Sequence, residues 1–310
     1  MKSMRIPLII ALGIAVMGII FGSFFDLNIS TAIASPTNKF ALTVSAIGPT
    51  IGFAAVAAMG GGFIVFGLQK DKYHIALRIL FFVLAVACYG VSVYYPAGEY
   101  FGINGFYEAA PKWVGYLIVI LPEAAAMVGG YFLFKDYKND KMWIIFLIIV
   151  GLLLIALLGI IPMLKDTMHR PRYRTISTTP VDFHNWWEPC KDYKELMKAY
   201  GIESDNFKSY PSGHTAEAAI FLVPTVFLPL ANDKFKKIQL PVFLGGCALV
   251  LLVALARILA AAHYLSDVSF GATIMLTLLF IANEVVMNIK ALQLKQEEKV
   301  EEPAPVEVEE

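Results

Sequence analysis

The stretch "MWIIFLIIVGLLLIALLGIIPML", residues 142–164, carries no charged side chain and no amide. An α-helix rises about 1.5 Å per residue, so this run is long enough to cross the roughly 30 Å hydrocarbon core of a bilayer. A soluble helix of such length would keep a polar face, and this one has none. The same template recurs at Ile6–Phe25, Thr50–Leu68, Ile75–Tyr95, Trp113–Phe134, His214–Ala231, Leu240–Ala260 and Val268–Ile289. With Met142–Leu164 that makes about eight spans, and the fold class expected is all-α, a polytopic transmembrane helical bundle. The second run is rich in Gly and Ala, and the sixth holds Pro224 and Pro229, which membrane helices tolerate where neighbours cover the freed carbonyls.

The composition agrees with this reading. Of 310 residues, 58% are hydrophobic and 16% charged, with mean hydropathy +0.65, well outside the balance of a soluble globule. Basic and acidic residues cancel at 25 each, so no single-signed field marks the chain as a nucleic-acid binder, and no nucleic acid is expected as a partner. Cys88, Cys190 and Cys247 show neither CxxC nor metal-type spacing, which argues against a disulfide framework. The first apolar run follows Lys2 and Arg5, but it is longer than a signal-peptide core and is followed by Asp-Leu-Asn rather than small residues. It is expected to stay as the first span.

Orientation follows from the short connections. If the spans alternate, Lys2 and Arg5, Lys70, Lys72 and Arg78, Lys135, Lys138 and Lys141, Lys234, Lys236 and Lys237, and Lys290 and Lys295 share one side, while the opposite short loops carry only Lys39 and Lys112. The basic side should be the cytoplasm, with both termini there. Three parts are expected: spans one to four over residues 1–141, a catalytic membrane domain over 142–290 with an external loop at 165–211, and a disordered acidic cytoplasmic tail at 291–310. The loop breaks the charge rule, with Lys165, Arg170, Arg172 and Arg174 near its start, and its Trp186-Trp187 pair argues for an ordered cap near the headgroups. The tail, "QEEKVEEPAPVEVEE", is of low complexity.

On this map the polar residues of spans five to eight converge at the outer face. Lys165 sits at the end of span five with Arg172 seven residues on; Ser212, Gly213 and His214 open span six; Arg257 ends span seven; His263 and Asp267 lead into span eight. Cations hold phosphate oxygens, glycine lets backbone N–H groups approach, and a helix N-terminus favours an anion. Two histidines suit a two-step displacement in which one attacks phosphorus while the other protonates the leaving alkoxide and later activates water. Asp267 stands four residues after His263, so on a helix it would share that face and fix the imidazole tautomer. This chemistry needs no cofactor and no metal.

The ordered set "KDTMHRPR", "YPSGHTA" and "ARILAAAHYLSD" resembles the motifs of the type 2 phosphatidic acid phosphatase (PAP2) superfamily, the integral-membrane lipid phosphate phosphatases. The likeness covers roughly the C-terminal half. It implies His263 as the nucleophile that becomes phosphohistidine, Asp267 as its orienter and His214 as general acid and base, with Lys165, Arg172, Ser212, Gly213 and Arg257 cradling the phosphate. Two departures stand out. The family pattern has Pro after the first-motif Arg, whereas here Pro171 precedes Arg172, so a Lys-x4-Arg-Pro register selecting Arg170 is the alternative; and Ala256 stands where Ser commonly precedes Arg257. In an extended segment Arg170, Arg172 and Arg174 would share a face, so any of the three could reach the pocket.

The resemblance implies a plasma-membrane hydrolase acting at the extracytoplasmic side on a phosphorylated lipid: a polyprenyl diphosphate, phosphatidylglycerol phosphate or phosphatidic acid. A small-molecule phosphatase resembling glucose-6-phosphatase is the alternative within the same chemistry, and a non-catalytic transporter or binder of anionic lipid is the alternative outside it. Glu123 and Glu217 are further candidates, because an acid inside a span is a functional site by default. Lys191, Lys194 and Lys198 fit a solvated helix face.

Overall fold

The computed structural model describes residues 4–102, 112–137 and 141–301. Lys2, Lys138 and the tail beyond residue 301 lie outside the described residues. The chain runs through α1 (Arg5–Ile33), α2 (Lys39–Leu68), α3 (Ile75–Gly102) and α4 (Lys112–Phe134). A fifth long helix follows as α5 (Met142–Leu154), a π-helical stretch at Ile155–Ile160 and α6 (Ile161–Met168). The loop beyond it carries α7 (Tyr173–Ile176) and α8 (Tyr193–Tyr200). Then come α9 (Gly213–Ala219), α10 (Pro224–Ala231), α11 (Gln239–Leu259) and α12 (Leu265–Glu301).

Seven helices among the described residues are long and apolar enough to cross a membrane, which makes this an integral membrane protein built as a helical bundle. Of the about eight spans expected, His214–Ala231 is the one that is not a single continuous helix. There α9 gives way to a 3-10 turn at Ile220–Leu222 before α10 begins at Pro224. Proline has no N–H to continue the ladder, and the break survives because the segment is enclosed by protein. Thr225 Oγ1 donates to the Leu222 carbonyl at 2.6 Å, and Gln239 Nε2 donates to the Thr225 carbonyl at 2.7 Å. Two other spans are longer than their apolar cores. α2 starts at Lys39, where Asn38 caps it by accepting from Ala41 N at 3.0 Å, and α1 continues past Phe25 to Ile33, taking Asp26 and Ser30 into the helix.

The Gly/Ala-rich α2 is the most enclosed of the seven. Its small residues are the reason: a Cβ on Gly61 would lie 2.0 Å from the Met127 carbonyl of α4, and one on Gly52 would lie 2.0 Å from the Glu217 carbonyl of α9. Backbone-to-backbone approach of this kind is how membrane helices associate when lipid removes any hydrophobic advantage. On the other flank α1 packs against α12, with Gly18 and Gly22 facing Ser269 and Ser266.

One end of the bundle collects the 34–38 turn, the end of α3, the start of α9, the end of α11 and the turn that follows it around one cavity. The 165–211 segment covers this end as an ordered cap. Val181, Cys190 and Phe207 form a small core of its own, and Trp186 ties it down by donating from Nε1 to Ser23 Oγ at 2.9 Å and packing on Tyr210 and Phe270. α8 carries Lys194 and Lys198 on its exposed face, as expected of a solvated helix. At the other end α12 runs to Glu301, into the stretch expected to form the tail.

Candidate active site

The cavity at the capped end has a volume of about 520 Å³ and is lined by Lys165, Arg172, Gly213, His214, Arg257 and His263, residues from four separate parts of the chain. Arg174, Asp205 and Glu217 complete its polar wall. Lys165 comes from the last turn of α6, and its Nζ would lie 3.5 Å from a Cβ on Gly213. A Cβ at 213 would meet the ammonium at ordinary contact distance, and glycine leaves that space to a ligand. His214 projects from the first turn of α9, where the helix N-terminus adds partial positive charge.

Ser212 departs from its expected place. Fully buried, it is the N-cap of α9, and its Oγ accepts from Thr215 N at 3.4 Å and Thr215 Oγ1 at 3.1 Å. Its side chain is absent from the lining of the cavity, and its backbone N–H is already given to the Asp267 carbonyl at 3.0 Å. The serine shapes the turn that presents Gly213 and His214.

His263 is held by a turn that closes α11. Ala261 adopts φ +55°, Ala262 N donates to the Arg257 carbonyl at 3.1 Å and Ala261 N to that of Ile258 at 2.9 Å, the paired bonds of a Schellman motif. The imidazole is 1% exposed, and Nδ1 lies 2.5 Å from the Ser209 carbonyl oxygen. A carbonyl can only accept, so Nδ1 carries the proton and Nε2 keeps the lone pair. Burial holds the imidazole well below its ordinary pKa, and Arg257, Arg172 and Lys165 push the same way. A neutral histidine with a free Nε2 in a cationic cavity is a competent nucleophile.

Asp267 reaches His263 differently from the helix-face expectation. Its Oδ2 stands 3.9 Å from Nδ1, beyond hydrogen-bond range, because His263 precedes α12 and the i,i+4 geometry of a helix does not apply. The carboxylate instead fixes the segment that fixes the histidine. Oδ2 accepts from Ser209 Oγ at 2.5 Å and from Tyr264 N at 2.9 Å, and Oδ1 accepts from Arg170 Nη1 at 2.6 Å.

The three loop arginines do not share a face. Arg172 is the extended residue before α7, and it lines the cavity together with Arg174. Arg170 turns inward and is 1% exposed. Asp205, which sequence reasoning had no signal to find, bridges the outer pair: Arg172 Nη2 donates to Oδ1 at 2.9 Å and Arg174 Nη2 to Oδ2 at 3.1 Å. Burial alone would raise the Asp205 pKa, but Arg172, Arg174, Lys165 and Arg257 together hold it below the usual carboxylate range. Glu217 lines the cavity, whereas Glu123 is wholly buried in α4, away from it. Among the described residues no group of three or more His, Cys, Asp and Glu side chains is placed to hold a metal ion.

Residues 140–290 match the family model of the PAP2 superfamily. No curated protein and no solved structure was found to match the chain.

Proposed function

From the match of residues 140–290 to the PAP2 superfamily, we propose that the chain hydrolyses a phosphorylated lipid at the capped end of the bundle through a phosphohistidine on His263. The observation that carries this reading is the cavity in which Lys165, Arg172 and Arg257 surround His214 and a neutral His263. The cations would hold the non-bridging oxygens of the phosphoryl group and stabilise charge as it develops in the transition state. Nε2 of His263 attacks phosphorus as the bond to the lipid oxygen breaks, and His214 delivers its proton to that oxygen. Neutral His214 then takes a proton from water, whose oxygen attacks the phosphohistidine, and the P–N bond breaks to release inorganic phosphate.

A lipid substrate is favoured because the cavity opens among the ends of membrane helices. The distribution of lysines between the short loops favours the extracytoplasmic face of the plasma membrane. The test is phosphate release by the purified protein in detergent micelles, over a panel of phosphatidic acid, phosphatidylglycerol phosphate, polyprenyl diphosphate and glucose 6-phosphate, with EDTA present throughout. Release from one lipid class, inhibited by vanadate and abolished in His263→Ala, is the expected result. Retention of a tenth of wild-type turnover in His263→Ala would overturn the covalent mechanism, since no nearby group replaces the nucleophile.

A further inference from the structure

Behind the cavity wall lies a buried ionic bracket that the proposed chemistry does not use directly. Arg170 sits at its centre with four acceptors: the His184 carbonyl at 2.8 Å, Ser266 Oγ at 2.9 Å, Asp267 Oδ1 at 2.6 Å and Asp26 Oδ2 at 2.9 Å. Its guanidinium lies over the Tyr264 ring, 4.2 Å from the centroid. Asp26 comes from α1, outside the segment that matches the family model. It is 4% exposed. Besides Arg170, it accepts from the Ser266 backbone N at 2.9 Å and from the Ser266 hydroxyl.

The Ser266 amide belongs to the first turn of α12, where N–H groups have no partner within the helix. Asp26 thus caps α12 from another helix, while Asp267 closes the same turn from within by accepting from Tyr264 N. The approach is close enough that a Cβ on Gly22, one turn before Asp26, would lie 2.6 Å from Ser266 N. The bracket therefore joins three elements: α1, the cap loop through Arg170, and the turn that carries His263.

We propose that Asp26 is a positioning residue for the reaction: through Arg170 and Ser266 it holds Asp267, and so the Ser209 and His263 pair, in register with the cations of the cavity. This rests on the phosphatase reading. Without the Asp26 carboxylate, Arg170 would keep the His184 carbonyl and Asp267 but lose the partner of Nη2, and Ser266 would lose the acceptor of its amide, so the frame that keeps the other oxygen of Asp267 on Ser209 would loosen. Since Asp26 is not among the residues that line the cavity, its loss should slow turnover and leave substrate affinity nearly unchanged.

The experiment uses the full-length protein in micelles, with Asp26→Asn and Asp26→Glu compared against wild type on the best substrate of the lipid panel. Asp26→Asn should lower kcat by about 30-fold with KM within twofold, and Asp26→Glu should recover part of the loss. A reduced folded fraction could imitate the drop in kcat, so the pH profile decides. The acidic limb of kcat/KM reports His263, which faces Lys165, Arg172, Arg257, His214 and Asp267. Removing a negative charge behind Asp267 disfavours the imidazolium, so that limb should move to lower pH by about half a unit. An unmoved limb with unchanged kcat would overturn the proposal. If Asp26→Asn fails to fold, Ser266→Ala removes one arm of the bracket without changing its charge, and a kcat loss of about threefold is expected; wild-type turnover in that variant would count against it. If the wild-type protein releases no phosphate from any substrate, the phosphatase reading falls, and hydrogen exchange over residues 262–268 judges the bracket separately: faster exchange in Asp26→Asn supports it and unchanged exchange refutes it.

Discussion

Asp205 reaches into the cavity from a loop residue whose side chain is 60% exposed, and it neutralises the two arginines that an incoming phosphate would need. Removing its charge leaves the pocket more cationic, so Asp205→Asn should lower the inhibition constant for vanadate about three- to tenfold, read from steady-state inhibition curves. The arginines themselves separate by role. Arg172→Lys should cut kcat at least about a hundredfold with folding intact, because a point charge cannot copy the planar two-donor fork. Arg174→Lys should cost less than about tenfold. Arg170→Lys should instead show in the thermal melt, as a loss of about 1 to 3 kcal/mol, since one ammonium keeps the charge but cannot reach Asp26, Asp267 and the His184 carbonyl together. His263 adds a pH dependence of stability. Its folded pKa lies below the unfolded value of about 6.5, so the unfolded chain binds more protons below that pH. Stability is complete above about 6.5 and declines as pH falls toward the folded pKa, by up to about 1.4 kcal/mol per unit. Melts at pH 7.5 and 5.5 should show this loss in wild type and a smaller one in His263→Gln.

Among the elements, α2 and the turn after α11 are the most exacting. Because the atom facing Gly52 is a backbone carbonyl of α9, a methyl group there cannot be absorbed by a rotamer change. Gly52→Ala should destabilise by about 2 to 4 kcal/mol and disturb His214 along with it. Gly151→Ala, where nothing lies within 4 Å, should be neutral in the same melt. The glycines of α2 were legible as a Gly- and Ala-rich span; that they let it pack most closely was not, since close packing depends on which helix lies opposite. Pro224 and Pro229 were visible as irregularities, and only the enclosing side chains turn them into a tolerated break.

For the whole molecule, membrane sidedness is the property that a labelling experiment tests. Cys190 is 1% exposed inside the cap, so it should resist an impermeant maleimide, whereas Lys198→Cys on the exposed face of α8 should label from outside intact cells and Lys236→Cys should not. The reverse pattern would place the cavity in the cytoplasm. The sequence by itself determined the helical membrane class, the approximate positions of the spans and the family motifs, because hydropathy and spacing are local properties that the chain carries wherever it folds. Lys165, Arg172, His214, Arg257 and His263 could be picked out for the same reason. Only the tertiary structure decided that Ser212 caps a helix, that the Ser209 carbonyl rather than Asp267 meets the imidazole, and that Arg170 is bound to Asp26 of α1. The cap on α9 is a local bond to Thr215, but the other two depend on which group comes within about 3 Å of a side chain from a distant segment, and no periodicity in the sequence encodes that distance.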